Sequence, residues 1–218
     1  MKGLRLFIIG FLVGIVTIFG YSIFKTQNLQ PKPVINKQTP TSTFSIESPP
    51  SESLKGSITS RSGTLLWESR IATTPGKLKD TVQIQQGERL ITEDKSSVTV
   101  NFDDVCSIVF SENADLSFIQ TLPIDLVVEQ KKGKIEYTVN GKTPLSIRIR
   151  NALITKKSGI IEIIVTDNDP MITISTVQST VQIGFNDLDY VSQVFTLQEG
   201  QVYEYNSEER TAINTKNK

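Results

Sequence analysis

Two hydrophobic patterns divide this chain. Leu4 to Phe24 is apolar almost without interruption, with 14 Leu, Ile, Val or Phe residues and Arg5 as its one charge. A helix of about 21 residues is about 31 Å long, close to the hydrocarbon thickness of a bilayer. Each such side chain contributes roughly −0.3 to −0.6 kcal/mol to insertion, about −4 to −8 in sum, which exceeds the cost of Gly10, Gly14, Thr17, Gly20 and Ser22. The pattern predicts a tail over residues 1–3 and a transmembrane helix over 4–24. From about Gly63 the period changes to two. Val98 to Phe102, Cys106 to Phe110, Ile135 to Val139 and Leu145 to Arg150 each alternate apolar and polar, as strands with one buried face do. Ile160 to Val165 is nearly continuous and predicts a central strand covered on both faces.

Turn signals separate these runs at Gln86-Gly87, Asp103-Asp104, Ser111-Glu112-Asn113, Lys132-Gly133, Ser158-Gly159, Asp167-Asn168-Asp169-Pro170 and Glu199-Gly200. Asn140-Gly141 reads as a hairpin turn, because both residues tolerate positive φ. No window after residue 63 carries a sustained helical stripe. The expectation is an all-β domain of roughly a dozen short strands, in a sandwich, barrel or solenoid-like arrangement.

Composition places the boundaries. Pro31, Pro33, Pro40, Pro49 and Pro50 fall between the two patterns, among Ser, Thr, Gln and Asn. Such a stretch buries too little apolar surface to offset its ordering entropy. Residues 25–60 are read as a flexible linker, 61–206 as the β domain and 207–218 as a disordered tail. At up to ~3.1 Å per residue the linker could hold the domain tens of ångströms from the bilayer. A cleaved signal peptide is the competing reading of the N-terminus. Tyr21-Ser22-Ile23-Phe24-Lys25 is a poor cleavage context after so long a run. No cysteine follows it to carry a lipid.

Charge and residue inventory narrow the chemistry. From Lys55 onward there are 18 Lys/Arg against 21 Asp/Glu. A net charge of about −3 leaves no electrostatic footprint for nucleic acid. The chain has no histidine. That excludes Ser-His-Asp and Cys-His catalysis, histidine metal sites and a histidine pH switch. Cys106 is the only cysteine, so no internal disulfide forms. It alternates with Ile108 and Phe110 and reads as a small core residue. Trp67, the only tryptophan, reads as a plug at one end of the core.

Three acidic clusters, Asp103-Asp104, Asp167-Asn168-Asp169 and Asn186-Asp187-Leu188-Asp189, offer oxygen ligands of the kind calcium takes. None has an EF-hand pattern, and Asx residues at turns explain them more simply. Arg148 and Arg150, with Lys156, Lys157, Lys131, Lys132 and Lys134, form a candidate anion patch. A solvated edge that resists aggregation is the plainer reading. Gly10 and Gly14 make a GxxxG, a candidate face for a weak homodimer. No catalytic, cofactor-binding or metal-binding residue is assigned.

A family resemblance rests on pieces in order. Gly87-Glu88-Arg89-Leu90-Ile91-Thr92, Ser97 to Phe102, Cys106 to Phe110, Ala114 to Phe118, Lys132-Gly133-Lys134-Ile135-Glu136-Tyr137 and Glu199-Gly200-Gln201-Val202-Tyr203 resemble successive elements of the FecR domain. The coverage is roughly residues 63–206. Asp103-Asp104-Val105 departs from the usual Asp-Gly-Ser, and the later Gly-Thr-x-Phe element is not clear near Lys156 to Gly159. The resemblance implies stacked short strands in two facing sheets, between a sandwich and a flattened β-roll. It also implies an extracytoplasmic domain in an envelope signalling system. The positive-inside balance of Lys2 and Arg5 against Lys25, Lys32 and Lys37 is nearly even, and the resemblance tips it to N-in, C-out.

The few residues before the apolar run leave no space for the cytoplasmic segment with which the family's signalling members bind a sigma factor. The expected function is therefore a non-enzymatic, single-pass, membrane-anchored binding or scaffold domain at the cell surface. Its candidate partners are the bilayer, through 4–24, and an envelope protein or wall polymer, with no cofactor. The alternative is a component of transmembrane signalling that acts through a partner membrane protein.

Overall fold

Alternating side chains bury one face only when a second layer covers it, and here the strands pair into two facing sheets that cover each other. The computed structural model describes residues 48–215, which fall in one compact unit. The expected tail and helix over 1–24 and most of the linker lie outside the described residues. Among the described residues there is no helix, and so none long and apolar enough to cross a membrane.

Among the described residues seventeen strands follow one another: β1 Gly56–Ser62, β2 Leu65–Glu68, β3 Gly76–Lys77, β4 Gln83–Ile84, β5 Arg89–Thr92, β6 Ser97–Phe102, β7 Cys106–Phe110, β8 Asp115–Leu122 and β9 Asp125–Val139, then β10 Leu145–Ile149, β11 Ala152–Lys156, β12 Gly159–Val165, β13 Met171–Thr176, β14 Val181–Asn186, β15 Ser192–Leu197, β16 Val202–Asn206 and β17 Thr211–Thr215. The first sheet runs β4-β1-β6-β7-β9-β12-β13-β16-β17. The second runs β3-β2-β5-β8-β9-β10-β11-β14-β15. After β9 the chain lays down hairpins alternately in the second and the first sheet. The unit formed by the described residues is a two-sheet roll that advances in one direction.

The strand β9 belongs to both sheets. Leu126, Val128 and Gln130 are buried in its first half, whereas Ile135, Tyr137 and Val139 are buried in its second. The parity changes across Lys131 to Lys134, where Gly133 has φ +86°. Each half thus keeps its buried residues between the sheets while the strand crosses from one to the other. Gln130 fills the crossing. Its side-chain amide donates to the carbonyls of Gly133 (2.9 Å) and Ile163 (3.2 Å) and accepts the Tyr137 hydroxyl (2.9 Å). A buried amide with these partners meets its hydrogen-bonding requirement.

The core lies between the sheets. Phe102 of the first sheet meets Phe118 of the second with ring centroids 5.7 Å apart. Phe185 of the second meets Tyr205 of the first at 4.7 Å. Cys106 is fully buried, and burial pushes its thiol up to about 12. Trp67 packs partly buried against this core, one strand from the edge at β3.

Several expectations change. Asn140-Gly141 does not close a hairpin. Because β9 ends in the first sheet, residues 140–144 return the chain to the second, and β10 pairs with the start of β9 in parallel. β12 is central, but only Ile161, Ile163 and Val165 are buried. Glu162 on its other face pairs with Lys134 at 2.7 Å. β1 begins inside the expected linker and β17 lies inside the expected tail. Both are stabilised by partner strands rather than by strong apolar patterns of their own.

Candidate functional site

Strand register places side chains from distant parts of the chain in rows across the outer faces of the sheets. One row on the second sheet runs Glu68, Arg89, Ser117, Glu129, Arg148, Leu153, Gly184, Val194. Its first part is electrostatically closed. The Arg89 guanidinium donates to both oxygens of Asp115, at 2.7 and 2.6 Å, and to Glu68 at 3.1 Å. Such a bidentate, partly buried pair fixes geometry strongly. The guanidinium is held above its ordinary range, chiefly by the Asp115 hydrogen bonds.

The last part of the row is open. Gly184 offers no side chain between Leu153 and Val194, both exposed, and forms the floor of a groove of about 500 Å³. Arg148, Arg150, Asn186, Ser192 and Gln193 complete its walls. Arg148 is exposed and makes no ion pair among the described residues. The groove therefore joins one available guanidinium to an apolar strip and bare backbone. That combination can hold an extended ligand carrying an anionic group.

The neighbouring end of the roll is braced across the sheets. Arg150 donates to Ser207 Oγ (2.7 Å) and to the Thr166 carbonyl (3.1 Å). The Asn151 amide donates to the Ser207 carbonyl (2.8 Å) and accepts the Tyr205 hydroxyl (2.7 Å). Phe195 stacks on Phe185 and tilts against Tyr203, at 5.8 and 5.6 Å. Burial pushes the Tyr203 phenol up to about 12. Arg210 donates to the Asp187 carbonyl (3.1 Å) and lies over the Tyr190 ring, which pins the β14–β15 loop.

The expected basic patch does not assemble. Arg148 faces outward, but Arg150 sits in the β10–β11 turn with φ +50° and turns toward the other sheet. Lys156 is fully buried, on the same face of β11 as Ala152 and Ile154. Its ammonium donates to the carbonyls of Gln178 (2.6 Å) and Thr180 (3.2 Å). Burial lowers its pKa, opposed by the charge of Glu199. Lys132 and Lys134 are paired with Asp167 and Glu162.

The acidic clusters serve as turns. Asp104 pairs with Lys142 (2.9 Å), and Asp103 accepts from the Asn101 amide. Asp169 accepts from the Met171 N–H. Asp187 accepts from the Gln193 amide and the Val191 and Asp189 N–H groups, which hold its carboxyl below the usual range. No group of three or more metal-ligating side chains converges among the described residues. Gly10 and Gly14 lie outside the described residues. The groove over Gly184 escaped the sequence because it requires the register of four strands.

The fold and its surface define an all-β, two-sheet roll with an open groove at its last strands. Two crystal structures of a "putative anti-sigma factor" from Parabacteroides distasonis ATCC 8503 share this fold. The TM-score is 0.51 for each, with 13% and 12% identity. Each likeness covers 59% of this chain and 59% of the other, so the match spans less than two thirds of the solved protein. No family model matches the chain. No curated protein matches it.

Proposed function

We propose that this chain is a membrane-anchored, extracytoplasmic FecR-like domain that works at the cell surface by binding, without catalysis. The groove over Gly184 carries this reading. It sets the available Arg148 beside Leu153, bare backbone and Val194, at the end of the roll away from β1 to β4. The carboxylates of Asp103, Asp104, Asp167, Asp169 and Asp187 are engaged in their own turns or in ion pairs. The fitting partner is an envelope protein or wall polymer that presents an extended, anion-bearing segment. An uncleaved helix over 4–24 would supply the anchor, and the Pro-rich linker its reach.

A second reading is favoured by the likeness to the Parabacteroides protein. In it the domain is a component of transmembrane signalling, coupled to a partner membrane protein through the GxxxG helix. One experiment tests both. A photo-crosslinking residue placed at Leu153 of the full chain is activated in intact cells. Adducts with an envelope protein or wall polymer, lost on Arg148→Glu, support the binding surface. A stoichiometric membrane-helix partner among them selects signalling. The absence of any adduct specific to position 153 contradicts the reading.

A further inference from the structure

The strand β15 ends the second sheet, and its ladder is to β14 alone among the described strands. The Asp187 N–H donates to the Val191 carbonyl at 3.0 Å, in step with the Asn186–Ser192 pairing that follows. In an antiparallel ladder bonded pairs alternate. Residues 193, 195 and 197 therefore bond inward to β14. The N–H and C=O groups of Ser192, Val194 and Thr196 point out of the sheet.

Natural edge strands are blunted by charge, proline, bulges or short length. This edge has none of these protections. It is six residues long, its register with β14 is unbroken, and Tyr190 to Gln198 contains no charged residue. Val191 and Val194 are exposed, at 55% and 68%, and Phe195 on the inner face is 38% exposed.

We infer that β15 pairs antiparallel with β15 of a second copy of this chain, about a two-fold axis at Val194. Parity narrows the register, and the number of bonds formed then selects it. Residues opposite each other must lie on the same face, because a slip of one residue sets outer against inner side chains. The bonding groups must also be the outward ones. With Val194 opposite Val194 of the second copy, Ser192 faces Thr196 and Gln193 faces Phe195. All three outward residues of each strand then bond, giving about six backbone hydrogen bonds with no like charges opposed. The contact is isologous, as closed dimers require.

The pairing also extends the candidate site. The row Arg148, Leu153, Gly184, Val194 continues across the axis into its own mirror order. Two grooves merge into one apolar trough with an arginine at each end. Seven strand spacings separate the two arginines, roughly 34 Å at the usual interstrand distance.

Cysteine cross-linking tests this in the full chain, in native membranes. Cys106 is fully buried, so an introduced thiol is the reactive one. Bonded antiparallel partners stand about 5.5 Å apart at Cα, within the range a disulfide spans. Under mild oxidation Val194→Cys converts most of the chain to covalent dimer. Ile124→Cys, at least as exposed but in the β8–β9 turn, gives at least fivefold less. A dimer held only by the Gly10–Gly14 face would favour neither position. Co-expressed Ser192→Cys and Thr196→Cys chains join to each other, and each alone does not. Continued protection of Cys106 from thiol reagents verifies folding of every variant.

The inference is overturned if Val194→Cys dimerises no more than Ile124→Cys, if its adduct is with a different protein, or if like chains join as readily as unlike ones. None of these results touches the Leu153 photo-adduct, so the groove and the dimer fail separately.

Discussion

Gly133 is the residue on which the crossing strand turns. At φ +86° a side chain is already strained, and an added Cβ would stand 2.3 Å from the Ala114 Cα. The backbone cannot yield there without moving β8. Gly133→Ala should cost about 2–5 kcal/mol, the sum of a left-handed penalty and an overpacking penalty. Gly200 has a similar φ of +75° but open space around it. Gly200→Ala should cost only about 1 kcal/mol. Urea midpoints at constant m-value measure both, and equal losses would refute the steric account of the bend.

Cys106 makes a second prediction at this scale. Its ordinary pKa is near 9 and burial raises it to about 12. Above pH 9 the unfolded chain loses this proton while the folded chain keeps it. The contribution is complete below pH 9 and is lost as pH rises toward 12. Tyr203, raised from 10 to about 12 by burial, adds in the same direction. Stability should therefore fall with alkaline pH. Cys106→Ala should make the fall shallower by about 1.4 kcal/mol per pH unit, on top of a constant cavity cost. Urea unfolding from pH 7 to 10.5 measures it, and an unchanged slope would show that the thiol titrates freely.

Lys156 illustrates what was legible in a single residue. A lysine in a strand is read as solvent-facing by its charge. Its position, two residues beyond Ile154 and four beyond Ala152, already assigned it to the buried face. Parity was the stronger signal, because the Gln178 and Thr180 carbonyls supply the ammonium with acceptors.

At the scale of elements, the Arg89 ion pairs fasten β2, β5 and β8 to one another. Arg89 serves two carboxylates, and the Asp115 side chain is only 6% exposed. Arg89→Met removes the cation and leaves Asp115 buried without its partner. A loss of about 3 kcal/mol is expected, most of it recovered when Asp115→Asn is added. A double-mutant cycle in urea gives the coupling, and strict additivity would contradict the pairing.

The strands that the sequence revealed are those with three apolar residues on one face, such as β6, β7, β10 and β12. β1 and β17 escaped because their hydrogen bonds go to β6 and β16, while the side chains of β1 are exposed or half-buried. β9 was read as an interrupted pattern, since Lys132-Gly133 resembles a turn. It is a bend inside one strand, invisible without the two sheets that it joins. The groove is harder still to read, for no local pattern marks Gly184 as a floor.

At the scale of the molecule, the alternation of hairpins between sheets gives the roll a direction. It begins at the short strands β3 and β4 and ends at the open edges of β15 and β17. Exposed apolar side chains collect at that end, including Leu188, Tyr190, Val191 and Val194. A molecule that presents its least protected edges together is suited to contact with other chains. That argument needs the domain to be outside the cytoplasm and tied to the bilayer, and one labelling experiment addresses both. A cysteine introduced at Thr43, in the linker, is exposed to a membrane-impermeant maleimide on intact cells, with Cys106 silent in the core. The account predicts labelling of a membrane-pelleted chain without lysis. Labelling that appears only after lysis, or a chain that washes free of the membrane, would contradict it.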